Sequence, residues 1–250
     1  MKQKILITGA SSGIGEALAY AYAKQGAVLG LIARRKDRLD SVADKCKSLG
    51  GTVYNYPMDV TDQTIIKFTI QNFIDDINNI DMVIANAGVG GMDDLKNGDA
   101  TETNRILTTN ILGISNTVIP CIPKMIEQQR GHVVVVSSVA GFRGLVAHGA
   151  YSASKAAIRI MADSWRYSLS HYNIQVTNIC PGFIETPLVK KNRFKMPFLM
   201  DADTAAMKIL SAVEKRKKCY IFPWQWKILL PLIKVIPDWL IKWGSTKANI

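Results

Sequence analysis

The stretch Lys4-Ile5-Leu6-Ile7-Thr8-Gly9-Ala10-Ser11-Ser12-Gly13-Ile14-Gly15 joins a short apolar run to a glycine-rich turn. A helical pattern follows from Glu16 to Gln25 and ends at Gly26. Glycines let the backbone approach a phosphate, and the N-terminus of the next helix offers free N–H groups and a partial positive charge. A strand, a glycine turn and a helix in this order predict a dinucleotide-binding unit.

Strand and helix patterns alternate along the rest of the chain. Apolar and β-branched runs predict further strands at Val28–Ala33, Thr52–Tyr56, Asp81–Ala85, His132–Ser137, Ile174–Ile179 and Cys219–Phe222. Later helical patterns cover about 62–78, 100–125 and 150–169. The alternation predicts an α/β fold: a doubly wound parallel sheet of about seven strands with helices on both faces. Such sheets bind ligands at the carboxyl ends of their strands.

The composition is that of an ordinary globular domain. Of the 250 residues, 48% are hydrophobic and 20% are charged, which is sufficient for a buried core. The four cysteines stand far apart and form no Cys-x-x-Cys pair, and no secretion signal precedes the first strand. We therefore expect a cytoplasmic protein with reduced thiols, no structural disulfide and no metal site.

The positive charge is concentrated at the C-terminal end. The net charge is +11, and residues 187–250 hold 13 Lys and Arg against 4 Asp and Glu, whereas residues 1–186 hold 18 against 16. This distribution argues against a nucleic-acid-binding protein built around a basic core. It leaves open an anionic membrane surface or an acidic partner for the tail.

The residues after the second strand predict the choice of cofactor. A carboxylate there would bind the ribose 2′-hydroxyl of NAD, whereas an arginine would accommodate the 2′-phosphate of NADP. Ala33 is followed by Arg34, Arg35 and Lys36, and the first acid is Asp37. Two guanidinium groups favour a phosphate, so we predict NADP (NADPH) rather than NAD. The alternative is a solvated basic start to the next helix.

Tyr151 and Lys155 are the candidate catalytic pair. They stand four residues apart in a helical pattern, so their side chains share one face. A neighbouring cation favours the phenolate and lowers a tyrosine pKa that starts near ~10, which would allow proton transfer near neutral pH. Alone, this spacing more often belongs to a helix with a surface tyrosine and a surface lysine.

Several motifs in a fixed order remove that ambiguity. They are Thr8-Gly-Ala-Ser-Ser-Gly13-Ile-Gly15, Asp59-Val60, Asn86-Ala87-Gly88, Asn110, Ser138, Tyr151-x-x-x-Lys155, and Pro181-Gly182 followed by Thr186. From Lys4 to about Pro187 the chain resembles the short-chain dehydrogenase/reductase family, in its small single-domain branch. The resemblance implies a Rossmann-fold domain, 1–223, followed here by an apolar and basic C-terminal extension, 224–250.

The resemblance implies a role for each of four catalytic residues. Tyr151 would be the general acid/base for the substrate oxygen. Lys155 would lower the pKa of Tyr151 and hold the ribose of the nicotinamide. Ser138, preferred over Ser137 for its family spacing to the tyrosine, would orient the substrate oxygen. Asn110 would anchor a water in a proton relay.

The resemblance also implies a cofactor-binding set at the glycine turn and the ends of later strands. It comprises Gly9, Ser11, Ser12, Gly13, Ile14, Gly15, Arg34, Arg35, Asp59, Val60, Asn86, Ala87, Gly88, Tyr151, Lys155, Pro181, Gly182, Ile184 and Thr186. Asp59 and Val60 would meet the adenine, Asn86 the adenosine side and Thr186 the nicotinamide carboxamide. His148 is left out of the catalytic set as a loop residue at the pocket rim.

The substrate side is apolar. Phe142, Leu145, Val146, Phe183 and Leu188 would form a pocket wall, and the segment 188–200 would form a mobile lid. This predicts a small hydrophobic ketone, aldehyde or secondary alcohol as substrate. The resulting function is an NADP-dependent carbonyl reductase or alcohol dehydrogenase. The alternatives are a 3-oxoacyl-carrier-protein reductase and a non-catalytic dinucleotide-binding scaffold or sensor.

The tail, 224–243, departs from the family pattern. Lys227, Lys234, Asp238 and Lys242 share one helical face, and Leu, Ile, Val and Trp fill the rest. This profile is typical of an interfacial amphipathic segment, which predicts peripheral membrane contact. Packing over the pocket and packing across a subunit interface are equally open. Because relatives are commonly dimers or tetramers, the resemblance implies a homodimer or homotetramer.

Overall fold

A seven-stranded parallel sheet forms the centre of the computed structural model, which describes residues 2–189 and 196–237. The strand order is β3-β2-β1-β4-β5-β6-β7, as predicted for a doubly wound sheet. The strands are β1 (Lys4–Thr8), β2 (Val28–Ala33), β3 (Thr52–Pro57), β4 (Met82–Ala85), β5 (Gly131–Val136), β6 (Ile174–Pro181) and β7 (Cys219–Phe222). The order reverses between β1 and β4, which is where such sheets bind ligands.

Helices cover both faces of the sheet. They are α1 (Gly13–Ala23), α2 (Lys36–Ser48), α3 (Gln63–Ile77), α4 (Thr101–Leu107), α5 (Gly113–Val118), α6 (Ile122–Glu127), α7 (Gly149–Leu169), α8 (Ala202–Glu214) and α9 (Trp224–Val235). One buried cluster joins α1, α2 and α8 to the sheet, and a second joins α3, α5 and α7 to the opposite face. The predicted α/β fold is therefore confirmed.

The long helix predicted over 100–125 is present as one helical run, Thr101–Glu127, but it is not a regular α-helix throughout. A π-helical turn, Thr108–Leu112, follows α4, and a 3₁₀ turn, Ile119–Cys121, separates α5 from α6. Pro120 and Pro123 lack the N–H groups that a regular helix needs, which accounts for the second interruption. The π turn contains Asn110, whose side chain bonds to a neighbouring loop.

The same stretch is long and apolar enough to cross a membrane. Among the described residues, it is the one helical run, Thr101–Glu127, that meets this criterion by length and composition. Nearly half of its most apolar window is buried inside the fold, and it carries Asn110 beside α7. We therefore interpret it as a core helix.

Gly30 in β2 allows α3 to pack directly on the sheet. A Cβ atom at this position would lie 2.8 Å from Leu6 Cδ1 and 2.9 Å from Phe73 Cζ, both in fully buried side chains. Close-packed interiors cannot yield such space without displacing side chains. The small residue therefore sets the separation of α3 from the central strands.

We expect Gly30→Ala to lower the free energy of unfolding by about 1–3 kcal/mol, because the methyl group overpacks the core. Gly144→Ala is the matched control, since a Cβ there meets no atom within 4 Å. Urea unfolding followed by circular dichroism measures both variants. Equal stability of the two variants would contradict this account of the packing.

Candidate active site

A cavity of about 730 Å³ opens at the carboxyl ends of the strands. Its lining includes Ser138, Tyr151 and Lys155, and every predicted cofactor-binding residue except Gly15. Gly15 lies beneath the cavity, where a Cβ atom would lie 2.4 Å from the carbonyl oxygen of Gly9. Its lack of a side chain lets α1 pack closely against the turn.

The glycine turn has the form of a phosphate cradle. Gly9 and Gly13 have φ values of +67° and +59°, a region that favours glycine. A Cβ atom on Gly13 would lie 2.6 Å from Thr186 Cγ2, so a side chain there would fill the gap between turn and opposite wall. Helix α1 begins here without a side-chain cap, which leaves its first N–H groups for an anion. These features fit a dinucleotide pyrophosphate.

Asn86 ties the glycine turn to the end of β4. Its Nδ2 donates to the carbonyl oxygens of Thr8 (3.1 Å) and Gly9 (3.4 Å). In return, Thr8 Oγ1 accepts from the backbone N–H groups of Asn86 and Ala87, both at 3.2 Å. Asn86 also lines the cavity, so it can both hold the turn in place and meet a ligand.

Two arginines stand at the end of the cavity next to the glycine turn. Arg35 donates through Nη2 to the hydroxyl oxygens of Ser12 (2.7 Å) and Ser11 (3.1 Å). Arg34 is mostly exposed and forms a weak 3.4 Å pair with Asp59, which also accepts from the backbone N–H of Thr61. The paired hydroxyls and the guanidinium make a donor-rich corner suited to a phosphate.

The side chains of Tyr151 and Ser138 both line the cavity. Ser138 also accepts from the N–H of Ala140, which fixes its orientation. Ser137 instead donates to the carbonyl oxygen of Lys155 at 2.7 Å and so serves the helix backbone. Burial raises the pKa of Tyr151, and the neighbouring hydroxyl of Ser138 opposes that rise.

Lys155 is buried, with 4% of its side chain exposed. Its Nζ donates to the carbonyl oxygen of Val136 at 2.9 Å and lies 5.7 Å from the centroid of the Tyr151 ring. Burial lowers the pKa of Lys155 to about 8. The ammonium is therefore still mostly charged at neutral pH. The sequence predicted that this cation lowers the pKa of Tyr151. The pKa is instead raised, because burial of the phenol has the larger effect.

Asn110 lies behind this pair rather than in the cavity, and it is fully buried. Its Oδ1 accepts from the N–H of Val89 (2.8 Å), and its Nδ2 donates to the carbonyl oxygen of Val89 (3.0 Å) and to Ser154 Oγ (2.9 Å). The side chain thus ties the loop after β4 to α7. Its predicted part in a water relay stays a prediction.

The substrate wall differs in part from the predicted one. Leu145, Phe183 and Leu188 line the cavity, whereas Phe142 and Val146 do not. The Phe142 ring lies under the guanidinium of Arg159, whose Cζ is 3.5 Å from the ring centroid, and Val146 is exposed. Residues 190–195 of the predicted lid fall outside the described residues.

Helix α9 supplies a wall that the sequence prediction left open. Trp226, Leu230 and Ile233 line the cavity, so this part of the tail packs over the pocket. The Trp226 ring makes edge contacts at 6.1 Å with Phe183 and Phe198. The rest of the predicted amphipathic segment, 238–243, lies outside the described residues.

The structure also gives contacts for His148, which the sequence prediction placed at the pocket rim, and for Asp93 and Arg143, to which it gave no role. His148 lines the cavity, and its Nδ1 lies 2.8 Å from the carbonyl oxygen of Gly91. Asp93 accepts from the backbone N–H of Ala150 and so caps the start of α7. Arg143 lines the cavity and donates to the carbonyl oxygens at the end of α9. These roles come from loop contacts that periodicity does not report.

The chain matches the family model for short chain dehydrogenases over residues 3–196. An uncharacterized oxidoreductase of Myxococcus xanthus (strain DK1622) is 37% identical over 233 residues, which cover 93% of this chain and 92% of that protein. A 3-oxoacyl-acyl-carrier-protein reductase of Thermotoga maritima is 36% identical over 186 residues, covering 74% of this chain and 76% of its own.

A solved structure shows the same fold. The short chain dehydrogenase from Mycobacterium paratuberculosis, bound to NAD, has a TM-score of 0.80 at 21% identity, covering 88% of this chain and 95% of its own. The family match, the relatives and the arrangement of Ser138, Tyr151 and Lys155 agree. The chain belongs to the short-chain dehydrogenase/reductase family, and it is an oxidoreductase that acts on CH–OH or C=O groups.

Proposed function

We propose that this protein is an NADPH-dependent carbonyl reductase, or in reverse an alcohol dehydrogenase, for a small hydrophobic substrate. The observation that carries the proposal is one cavity that holds Ser138, Tyr151 and Lys155 at one end and Arg35 at the other. When bound, the cofactor supplies the hydride. The protein supplies the proton, the orientation of the substrate oxygen and the exclusion of water.

Tyr151 and Ser138 act together on the substrate oxygen. Both side chains line the cavity, and the Ser138 hydroxyl acts on the pKa of Tyr151, so both can donate to one carbonyl oxygen and stabilise the charge that develops there. The raised pKa of Tyr151 keeps the phenol protonated, as a general acid for reduction requires. The ammonium of Lys155 beside the ring stabilises the phenolate left after proton transfer.

The corner formed by Arg35, Ser11 and Ser12 supports NADP over NAD. Both serine hydroxyls are within 3.1 Å of the Arg35 guanidinium, and Arg34 lies at the same end of the cavity. A 2′-phosphate placed there would meet donors from the guanidinium and the hydroxyls. A carboxylate is the usual partner of a ribose 2′-hydroxyl, and the carboxylate among the described lining residues, Asp59, is already engaged by Thr61 and Arg34.

The leading alternative is a 3-oxoacyl-carrier-protein reductase, the activity named for the Thermotoga maritima relative. A basic tail would suit an acidic carrier protein. The wall formed by Trp226, Leu230 and Ile233 favours a free lipophilic carbonyl over a tethered chain, because it lies across the substrate end of the cavity. A non-catalytic scaffold would have no need to bury Lys155 beside a cavity tyrosine.

The remaining features of the proposal concern the assembly and its location. We propose a cytoplasmic homodimer or homotetramer in which the domain 1–223 carries the reaction. The segment 224–243 of the extension 224–250 would add peripheral membrane contact. The exposed apolar side chains of Leu112, Ile119, Ile160 and Tyr167, on the helical run 101–127 and on α7, support a subunit interface on those helices. That assignment leaves the outer surface of α9 for a different contact.

We expect Tyr151→Phe to lower kcat by roughly 10²–10⁴-fold for a lipophilic ketone or aldehyde, because the proton donor is lost. The affinity for NADPH, measured by fluorescence titration, should be retained. Tyr167→Phe, an exposed tyrosine on the same helix, is the matched control. Undiminished turnover in Tyr151→Phe, with a carbonyl chosen from a screen on the wild type, would refute the mechanism.

The buried lysine should make stability depend on pH. The unfolded chain holds the Lys155 proton up to its ordinary pKa of 10.5, whereas the folded chain releases it at about 8. Between those values the unfolded state binds more protons, so stability rises with pH. Between pH 8 and 9.5 we expect the free energy of unfolding of the wild type to rise, relative to that of Lys155→Met, by about 1 kcal/mol per pH unit. Parallel stability curves in urea unfolding would contradict this expectation.

We expect Arg35→Ala to weaken NADPH binding by about 10- to 100-fold and to leave NADH binding unchanged, since only the 2′-phosphate loses a charged partner. Lys36→Ala is the matched control, because its ammonium is held by Asp40 at 2.6 Å. Titration calorimetry with both cofactors measures the difference. Tighter binding of NADH than NADPH by the wild type would overturn the cofactor assignment.

A further inference from the structure

Helix α9 has two apolar faces, and the cavity covers only one of them. Trp226, Leu230 and Ile233 face the cavity. Trp224, Ile228, Leu232 and Val235 are between 57% and 75% exposed, and their spacing of four, four and three residues places them on one side of the helix. We call these four residues the outer row. A contiguous row of large apolar side chains, unlike single scattered ones, marks an interaction site.

The exposed apolar surface continues onto the rim of the cavity. Leu145 and Leu188 line the cavity and are nevertheless exposed. Phe198, which packs against Trp226, is exposed as well. Exposed apolar side chains therefore occur both on the outer row and among the residues that line the cavity or pack against its wall.

Arginine contacts fix α9 to the rest of the site. The Arg143 guanidinium, which itself lines the cavity, donates to the carbonyl oxygens of Ile233 and Ile236, the latter at 2.8 Å. These oxygens belong to the end of the helix, where carbonyl groups lack helical partners. These hydrogen bonds hold α9, and with it the outer row, in one position relative to the cavity.

The charge of the C-terminal part of the sequence favours an anionic partner. Lys227 is exposed on α9. In the sequence, residues 187–250 hold 13 Lys and Arg against 4 Asp and Glu. An apolar stripe that contains tryptophan, on a helix that also carries an exposed lysine, is typical of a helix lying in a lipid interface. At 12 residues, α9 is too short to span a bilayer, which needs about 20.

We propose that the outer row of α9 docks on an anionic lipid surface, and that the cavity takes its lipophilic carbonyl substrate from that surface. The first part, docking through α9, does not depend on the proposed enzymatic function. The second part rests on the proposed carbonyl reductase function. Docking would place the apolar rim against the lipid, so a substrate dissolved in the membrane could enter without crossing water.

Flotation with vesicles tests the docking on the full-length protein. The variant is Ile228→Asp with Leu232→Asp, and the matched control is Phe68→Asp, an equally exposed apolar residue on α3. We expect wild type and control to float with vesicles of phosphatidylglycerol and phosphatidylcholine, and much less with phosphatidylcholine alone or in about 0.5 M NaCl. The double variant should lose binding by about tenfold or more, because two apolar side chains no longer enter the lipid.

Two further measurements separate the possible failures. Sedimentation velocity reports the oligomeric state. If the wild type does not float with any vesicle and the double variant dissociates into smaller species, a second copy of the chain covers the outer row, and the proposal is overturned. Equal flotation of the variant and the wild type would also overturn it. Turnover of a water-soluble carbonyl without vesicles tests the reductase function separately. We expect the variant to retain that rate and to lose turnover of a ketone dissolved in vesicles.

Discussion

A buried ammonium group is the constraint on which the site depends. Lys155 is removed from water at a cost of several kcal/mol for an isolated charge, and its partner on the described chain is the carbonyl oxygen of Val136. Close backbone packing surrounds it: a Cβ atom on Gly141 would lie 2.6 Å from the carbonyl carbon of Lys155, and one on Gly88 would lie 3.4 Å from Nζ. The same burial lowers the pKa of Lys155 to about 8, because it disfavours the charged form. The fold therefore gives up stability to hold a cation beside Tyr151.

The interrupted helix follows from that constraint. Asn110 must reach the backbone of Val89 and the hydroxyl of Ser154 at once, in a fully buried position. The π turn at Thr108–Leu112 occurs where this side chain makes its contacts, and such turns are frequent at functional sites. The amide thus joins the loop that follows β4 to the helix that carries Tyr151 and Lys155. The positions of Tyr151 and Lys155 therefore depend on Asn110, a residue that does not line the cavity.

Much of this arrangement could be predicted from the sequence, because it is local. The apolar run before Gly9 and the helical pattern after Gly15 are enough for β1 and α1, and the alternation is enough for the sheet. The choice of Ser138 over Ser137 needed the family spacing. The direction of the Tyr151 pKa could not be predicted, since the spacing shows the neighbouring cation but not the burial that outweighs it. Loop partners such as Asp93 carry no periodic signal at all.

Helix α9 shows why the tail resisted prediction. Its pattern of Trp, Leu and Ile residues is apolar on two sides, so the same sequence satisfies packing over a pocket and contact with an outer surface. The structure places Trp226 and Leu230 inside and Trp224 and Ile228 outside, which makes the two interpretations compatible. The same helix forms a wall of the pocket and exposes the outer row. A partner that binds the outer row would therefore lie next to the pocket. For a hydrophobic substrate that partitions into lipid, such a link raises the concentration at the entrance without any change in the catalytic residues.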